Sequence, residues 1–121
     1  SSAASDVYKR QSPERFDALV DEAIDRIPTQ FLDQLDQVII QVHPYNLDEP
    51  TLLGLYEGIP LTERSNNHWG PPDQISLYRD MLCRISHTEE ELVEQIRVTL
   101  LHEIGHYFGL EEEDLDRLGY G

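Results

Sequence analysis

The sequence predicts one α+β domain, since a helical pattern stands near each end of the chain and short apolar strands stand between them. The first helix follows Ser12-Pro13, the clearest strand is Val38–Val42, and the last long helix starts at Thr88. At 121 residues the chain has the length of one domain. We expect residues 13–121 to form that domain, and residues 1–12 to be a disordered tail or an expression or sequencing remnant.

Composition excludes two classes of partner. The net charge of −15 repels nucleic acid and anionic membrane surfaces, and no apolar run reaches the length that crosses a bilayer. We therefore expect neither nucleic acid nor a membrane as partner. Cys83 is the only cysteine, so no intrachain disulfide can form, and we expect it to be a small buried side chain. One cysteine also fits a reducing compartment, which favours a cytoplasmic protein.

The first helix has clear start and stop signals. Ser12 can cap it, Pro13 suits its first position, where no N–H partner exists, and Pro28 ends it. Apolar residues recur between them at steps of three and four, with charged residues opposite. The stripe consists of Phe16, Leu19, Val20, Ala23, Ile24 and Ile27. This pattern predicts an amphipathic helix with one buried face.

Three short strands are predicted in the middle of the chain. Val38–Val42 is apolar and β-branched, which is typical of a buried strand. Leu52–Tyr56 is the second strand, and Gly54 inside it indicates a bulge or the close approach of another backbone. Gln74–Arg79 alternates enough for a third strand, which we expect to continue irregularly to Ile85.

The last long helix begins with a capping box. Thr88 can accept a free N–H, and Glu91 stands three residues later, where its carboxylate can accept another. The helix is expected to run to about Phe108, with Gly109 as its stop. Its second half is apolar nearly all round, which predicts that it is buried.

This buried half contains the sequence HEIGH, which has the spacing of a metal site. His102 and His106 lie four residues apart, on one face of a helix, so two imidazoles can bind one zinc ion. Glu103 lies about 100° round the helix from His102, outside the metal's ligand shell but within reach of a bound water. Zinc lowers the pKa of such a water to about 7, so a carboxylate can take its proton. The motif therefore supplies two ligands and one general base.

A third ligand is expected shortly after the helix. Gly109 lets the chain turn back, and Glu112, ten residues after His102, can then face the metal. Asp114 is the alternative ligand, and two further candidates follow it, Glu111 and Glu113. Only fifteen residues follow His106, which leaves little room for a ligand from a separate later helix.

Two simpler interpretations compete with a catalytic site. The acidic run can be the solvated start of a short final helix, Glu112–Leu118. Two histidines and a glutamate in an apolar helix would be costly to bury without a partner, and a metal satisfies them. A purely structural zinc site is the least favoured, because it usually has four protein ligands that are mostly cysteines.

The chain resembles the minimal zincin-like metallopeptidase family, small single-domain bacterial proteins. Besides HEIGHYFGLEEEDL, three blocks carry the resemblance in order: LLGLYEGIPLTER (52–64), ISLYRDML (75–82) and EELVEQIRVTLLHEIGHYFGL (90–110). The family implies a zincin-like fold, in which a small mixed sheet is combined with a backing N-terminal helix and the HExxH active-site helix. It also implies the extended motif HExxHxxG, followed three residues later by an acidic ligand.

Carried over to this chain, the resemblance makes His102 and His106 ligands, Glu103 the base, Gly109 the turn and Glu112 the acidic ligand. It implies one Zn²⁺ per chain. The chain departs from the pattern in two ways. The family more often has Asp at the position of Glu112, which keeps Asp114 open as the ligand.

The second departure concerns the region below the metal. Related metzincins place a methionine turn there, after the helix, whereas the only methionine here, Met81, precedes it. Tyr120 near the C-terminus is instead a candidate to pack under the site or to donate a hydrogen bond to it.

These observations predict a zinc-dependent metallopeptidase that acts on a peptide or protein substrate. By analogy with zincins, the substrate pairs as an added strand with the sheet edge, for which the candidate residues are Leu53, Gly54, Leu55 and Tyr56. The alternative is a non-catalytic zincin scaffold that binds a peptide or protein partner. The small size favours that alternative, because no second lobe walls a cleft, although a homo-oligomer would supply the wall.

Overall fold

The structure, a computed structural model, describes residues 12–63 and 72–118. The predicted tail therefore lies outside the described residues, apart from Ser12. The helices are α1 (Pro13–Asp25), α2 (Thr29–Leu32), α3 (Arg79–Arg84), α4 (Glu89–Tyr107) and α5 (Glu112–Leu118), with a 3-10 turn at Leu61–Glu63. The strands are β1 (Val38–His43), β2 (Gly54–Glu57) and β3 (Asp73–Tyr78).

Both long helices start where the sequence predicted. The Ser12 hydroxyl accepts a hydrogen bond of 3.1 Å from the Arg15 N–H at the start of α1. The Thr88 hydroxyl accepts one of 3.0 Å from the Glu91 N–H at the start of α4. Each hydroxyl satisfies an N–H that the helix itself cannot pair, which fixes where the helix begins.

The three strands form one mixed sheet in the order β1-β3-β2. Strand β3 lies in the middle, parallel to β1 and antiparallel to β2. The mixed sheet that the resemblance implied is therefore confirmed, and the fold class is α+β. Strand β2 is an edge strand of this sheet and passes close to α4.

The core lies where α4 packs between α1 and the sheet. Helix α1 contacts α4, and α4 contacts β2 and β3. Fully buried members of this core from α1, β3 and α4 include Phe16, Leu19, Ile75, Leu77, Leu92, Ile96 and Leu100. The predicted stripe of α1 faces inward as expected. Helix α4 is thereby held on two sides, which makes it a rigid base for the residues that follow.

The segment after β3 differs from the prediction. The third strand does not continue to Ile85, because the chain turns into helix α3 directly after Tyr78. Leu82 and Cys83 in α3 are buried, whereas Ile85 is exposed, so the segment buries one side of a helix and not alternate residues of a strand. Cys83 is buried as predicted, and burial raises the pKa of its thiol to about 11.

The second strand begins two residues later than predicted, at Gly54. The preceding Leu53 carbonyl still accepts a hydrogen bond of 2.9 Å from the N–H of Tyr78 in β3. A close approach at Gly54 is present, as predicted, but the nearest group is the side chain of Thr99 and not another backbone. A Cβ on Gly54 would stand 2.6 Å from Cγ2 of Thr99 and 3.1 Å from the Ser76 carbonyl oxygen. Only glycine lets α4 lie this close to β2.

No helix within the described parts of the chain is long and apolar enough to cross a membrane.

Candidate metal centre

Helix α4 brings the two histidines of HEIGH together. The Nε2 atoms of His102 and His106 lie 3.2 Å apart. The two rings are 4.9 Å apart between centroids and stand nearly perpendicular, at 79°. This arrangement aims both Nε2 lone pairs at a common point outside the helix, as the four-residue spacing requires.

A glycine turn brings the chain back toward this pair. Helix α4 ends at Tyr107 with Phe108 as its C-cap, and Gly109 follows with φ +89°, a conformation that glycine adopts without strain. The Gly109 N–H bonds the His106 carbonyl and the Leu110 N–H bonds the Gly105 carbonyl, each at 2.9 Å. These two bonds form a Schellman motif, which reverses the chain directly after the second histidine.

Packing against α4 then places helix α5. Leu115 is fully buried, and a Cβ on Gly105 would collide with its side chain. Helix α5 therefore packs on α4 at Gly105, the glycine inside HEIGH. Because α5 starts at Glu112, this packing contact sets the position of the Glu112 carboxylate beside the imidazoles.

The three side chains together form a triad with the dimensions of a zinc site. Oε1 of Glu112 lies 2.8 Å from Nε2 of His106 and 3.2 Å from Nε2 of His102. With the imidazole separation of 3.2 Å, these atoms make a nearly equilateral triangle. Bonds of about 2.0–2.1 Å at a tetrahedral angle place ligand atoms about 3.3 Å apart. Two neutral imidazoles and one carboxylate also suit zinc chemically, so the residues present fit the metal.

An outer hydrogen bond orients one of the imidazoles. Nδ1 of His106 lies 3.1 Å from the carbonyl oxygen of Leu110, to which it can donate only as Nδ1–H. That tautomer leaves the Nε2 lone pair directed at the triad. Ligand histidines in metal sites characteristically have such a partner on the other ring nitrogen. The turn that delivers Glu112 therefore also orients His106.

Glu103 lies beside the triad and is held by the edge strand. Its Oε1 accepts a hydrogen bond of 2.9 Å from the backbone N–H of Tyr56 in β2. Its Oε2 lies 3.9 Å from Nε2 of His102, which is too far for a shared ligand shell but within reach through one water. The carboxylate is buried, in contrast to that of Glu112, which is largely exposed.

The pKa values of the Glu103 and Glu112 carboxylates are shifted in opposite directions. Burial raises the pKa of Glu103, and the nearby His102 and His106 and the N–H of Tyr56 partly offset this. At Glu112 burial acts in the same direction, but the contact with His106 and the proximity of His102 outweigh it and lower the pKa. A raised pKa is characteristic of a group that takes and gives a proton, and a lowered one of a group that stays ionised.

The other predicted site residues lie elsewhere or outside the described residues. Asp114 is not part of the triad, because its carboxylate accepts a 3.0 Å hydrogen bond from the Glu111 N–H and pairs with Arg117. It therefore caps α5. The Glu113 side chain is exposed. The predicted role of Tyr120 falls on a residue that the structure does not describe.

A groove of about 890 Å³ runs between β2 and α4 and contains the triad. All four candidate edge residues line it, namely Leu53, Gly54, Leu55 and Tyr56. The charged side chains among the described lining residues are histidines and glutamates, the latter being Glu63, Glu103, Glu111 and Glu112. Such a lining attracts a cation, whether a metal ion or a basic group of a ligand.

The comparison with known families agrees with this geometry. The model of the zincin-like metallopeptidase family matches residues 35–121, which include the sheet, α4 and α5. The chain belongs to the zincin-like metallopeptidase family. None of the curated proteins matches it. The zincin-like match therefore includes the buried helix that carries the two histidines and Glu103, and the short acidic helix that folds back onto it.

Sequence reasoning missed one contact and two residues of this zincin-like site. The hydrogen bond from the Tyr56 N–H to Glu103 depends on how far β2 is shifted along α4, which no local pattern encodes. Leu115 and Gly105 were overlooked as the contact that docks α5. A signal for that contact was present, because a glycine inside an otherwise strong helix often has a packing reason.

Proposed function

We propose that this protein is a zinc-dependent metallopeptidase that hydrolyses peptide bonds. His102, His106 and Glu112 would hold one zinc ion per chain, and Glu103 would act as general base. The observation that carries the proposal is the triad itself. Three ligand atoms of the right chemistry stand 2.8 to 3.2 Å apart, next to a buried carboxylate that is not one of them.

Each residue of the site has a separate role in the proposed hydrolysis. Zinc bound at the triad would lower the pKa of a water to about 7 and polarise the substrate carbonyl. Glu103 accepts the proton of the attacking water on Oε2, because Oε1 is engaged by the N–H of Tyr56. It then gives this proton to the departing amine as the C–N bond breaks, so that water is added across the peptide bond.

The substrate is proposed to lie along β2. Pairing between β2 and β3 alternates, so that Leu53 and Leu55 direct their backbone groups toward β3, whereas Gly54 and Tyr56 direct theirs toward the groove. An extended peptide can therefore pair with the backbone of Gly54 as an added strand. Glu103 occupies the next N–H along the edge, that of Tyr56, so a peptide paired with Gly54 would pass beside the candidate base.

The test is hydrolysis of a mixed peptide library by the zinc-loaded chain, followed by mass spectrometry. The key variant is Glu103→Gln, which keeps an oxygen that accepts from Tyr56 but cannot take a proton. We expect it to retain zinc and to lose activity by about 10²–10⁴-fold, the usual contribution of a general base. Glu113→Gln, which changes an exposed carboxylate nearby, should cleave like the wild type.

Two results would count against this function. Cleavage by Glu103→Gln at the wild-type rate would remove Glu103 as the base. A wild-type protein that holds zinc but cleaves no member of the library, while still binding peptides along the groove, would instead favour the non-catalytic scaffold.

A further inference from the structure

One side chain of the edge strand connects the candidate base to the central strand of the sheet. Tyr56 contacts α4 twice, through its backbone N–H with Oε1 of Glu103 at 2.9 Å and through its ring with Tyr107. The two rings meet edge to face, with centroids 5.9 Å apart at 68°. Glu103 and Tyr107 are four residues apart and so lie on the same face of α4. Tyr56 is therefore set against one stripe of the helix.

The phenol of Tyr56 has a buried partner. Its hydroxyl donates to Oδ2 of Asp73 at 2.6 Å, the short distance typical of a charge-assisted bond. Asp73 is the first residue of β3 and is only 3% exposed. Gly58 leaves room for it, because a Cβ there would lie 2.6 Å from Oδ1 of Asp73. A carboxylate is costly to bury, so this contact must be well satisfied to persist.

The position of strand β2 depends on contacts such as the hydrogen bond between Tyr56 and Asp73. The strand is only four residues long and pairs with a neighbouring strand on one side, so its backbone is held by few hydrogen bonds. Short edge strands belong to the parts of a fold that open most easily. The bond from phenol to carboxylate fixes the Tyr56 ring at its far end, while Tyr107 fixes the ring's edge. These two contacts restrain the ring, and through it they restrain the backbone that carries the Tyr56 N–H.

We infer that Asp73 and the Tyr56 side chain are positioning residues for Glu103. They hold the Tyr56 N–H, and through it they hold Oε1 of Glu103, so that Oε2 is directed toward the triad. The kinetic side of this inference rests on the proposed function, whereas its structural side does not. Misplacing a reacting group by a fraction of an ångström slows the chemical step, with little effect on how substrate binds.

The test compares two Tyr→Phe variants of the full chain. Tyr56→Phe removes the hydroxyl that contacts Asp73 and keeps the ring and the backbone N–H. Tyr78→Phe is the matched control, because Tyr78 is a buried residue of the same sheet whose hydroxyl bonds Asn46 instead, at 2.8 Å. Asp73→Asn is the conservative variant, because its amide oxygen can still accept from the phenol.

The first measurement is hydrogen exchange at the backbone amide of residue 56, followed by NMR on ¹⁵N-labelled protein with one equivalent of zinc. In Tyr56→Phe we expect this amide to exchange about fivefold faster, which corresponds to the loss of one protein hydrogen bond. Tyr78→Phe should leave it unchanged, and Asp73→Asn should retain most of the protection. Unchanged exchange in Tyr56→Phe would overturn the inference, whatever the activity of the protein.

The second measurement uses a peptide that the wild type cleaves. Tyr56→Phe should lower kcat about five- to tenfold at unchanged KM and unchanged zinc content, because the ligands are untouched. Wild-type kcat in Tyr56→Phe, or a change in KM alone, would contradict the inference while leaving the metallopeptidase proposal standing. Absence of any cleavable peptide would count against the proposed function only, because the amide measurement does not depend on it.

Discussion

The triad joins two regions of the molecule that are held in very different ways. His102 and His106 belong to α4, which is packed between α1 and the sheet, and their side chains are 20% and 25% exposed. Glu112 starts the seven-residue helix α5, and its side chain is 66% exposed. The two imidazoles stand on one helix, whereas the position of the carboxylate depends on a turn and on one buried leucine.

The first region belongs to the folded core, whereas the second region completes the candidate metal site. We expect that loss of a contact on α4 disturbs the core, and that loss of a contact on α5 displaces the proposed ligand Glu112 and leaves the core intact. We therefore expect substitutions of core contacts in the first region to lower mainly the stability, and substitutions in the second region to lower mainly the metal affinity. A bound metal would in turn stabilise the docked form of α5, because it binds only when all three ligands are in place.

The largest effect on metal binding is expected from His106→Ala. The variant removes a proposed ligand and also the side chain that bonds the Leu110 carbonyl, so zinc affinity should fall by more than about 100-fold, beyond the usual cost of losing an outer partner alone. Competition with a chelating dye measures this. Circular dichroism is the control, and unfolding of the variant would show that the imidazole supports the core.

Leu115→Ala tests the region of α5 directly. The loss of a fully buried leucine should undock α5 and lower zinc affinity about tenfold or more, since a mutation of this kind costs about 2–5 kcal/mol at its site. Leu19→Ala in α1 is the matched control, because it removes the same atoms from the core away from the site. It should lower the denaturation midpoint and keep the zinc affinity of the folded protein. Equal effects of the two variants on zinc would abolish the distinction between the regions.

Gly109→Ala tests the turn between the two regions. Its φ of +89° disfavours alanine by about 1–3 kcal/mol, and the added Cβ would also collide with the Thr62 side chain. We expect lower stability and a several-fold loss of zinc affinity, measured by denaturation and zinc titration. The double variant with Thr62→Ala should recover the part that is due to collision. If Gly109→Ala matches the wild type in both measurements, the turn does not position Glu112.

The smallest effect is expected at the far end of α4. Thr88→Ala removes the capping hydroxyl and should cost about 1 kcal/mol of stability, without change in zinc affinity. Thr88→Ser keeps the hydroxyl and should behave like the wild type in thermal unfolding. A loss of zinc binding in Thr88→Ala would show that the region of α4 does not act as a rigid base.

The same contrast explains how much the sequence could predict. Both long helices were predicted with their caps, because Ser12 and Thr88 act on N–H groups within three residues of themselves. The spacing of His102 and His106 is likewise a local property of a helix. Strand β3 was extended wrongly into α3, because a short apolar segment fits a strand or a helix until its buried side is known.

The remaining features depend on contacts between distant parts of the chain. Spacing left Glu112 and Asp114 open as the third ligand, and the choice rests on how Leu115 sits on Gly105. The pairing of Glu103 with the N–H of Tyr56 joins residues 47 positions apart. No pattern within one helix or one strand encodes such a contact.

The most direct test of the account is the zinc affinity of Glu112→Gln compared with Glu113→Gln. The two variants make the same chemical change at neighbouring positions, but only Glu112 contacts the imidazoles. We predict that the wild type and Glu113→Gln bind one zinc per chain with the same affinity, and that Glu112→Gln binds at least about tenfold more weakly, because it has lost a charged ligand. Equal zinc affinity in all three proteins would show that α5 does not supply the third ligand and would contradict the proposed site.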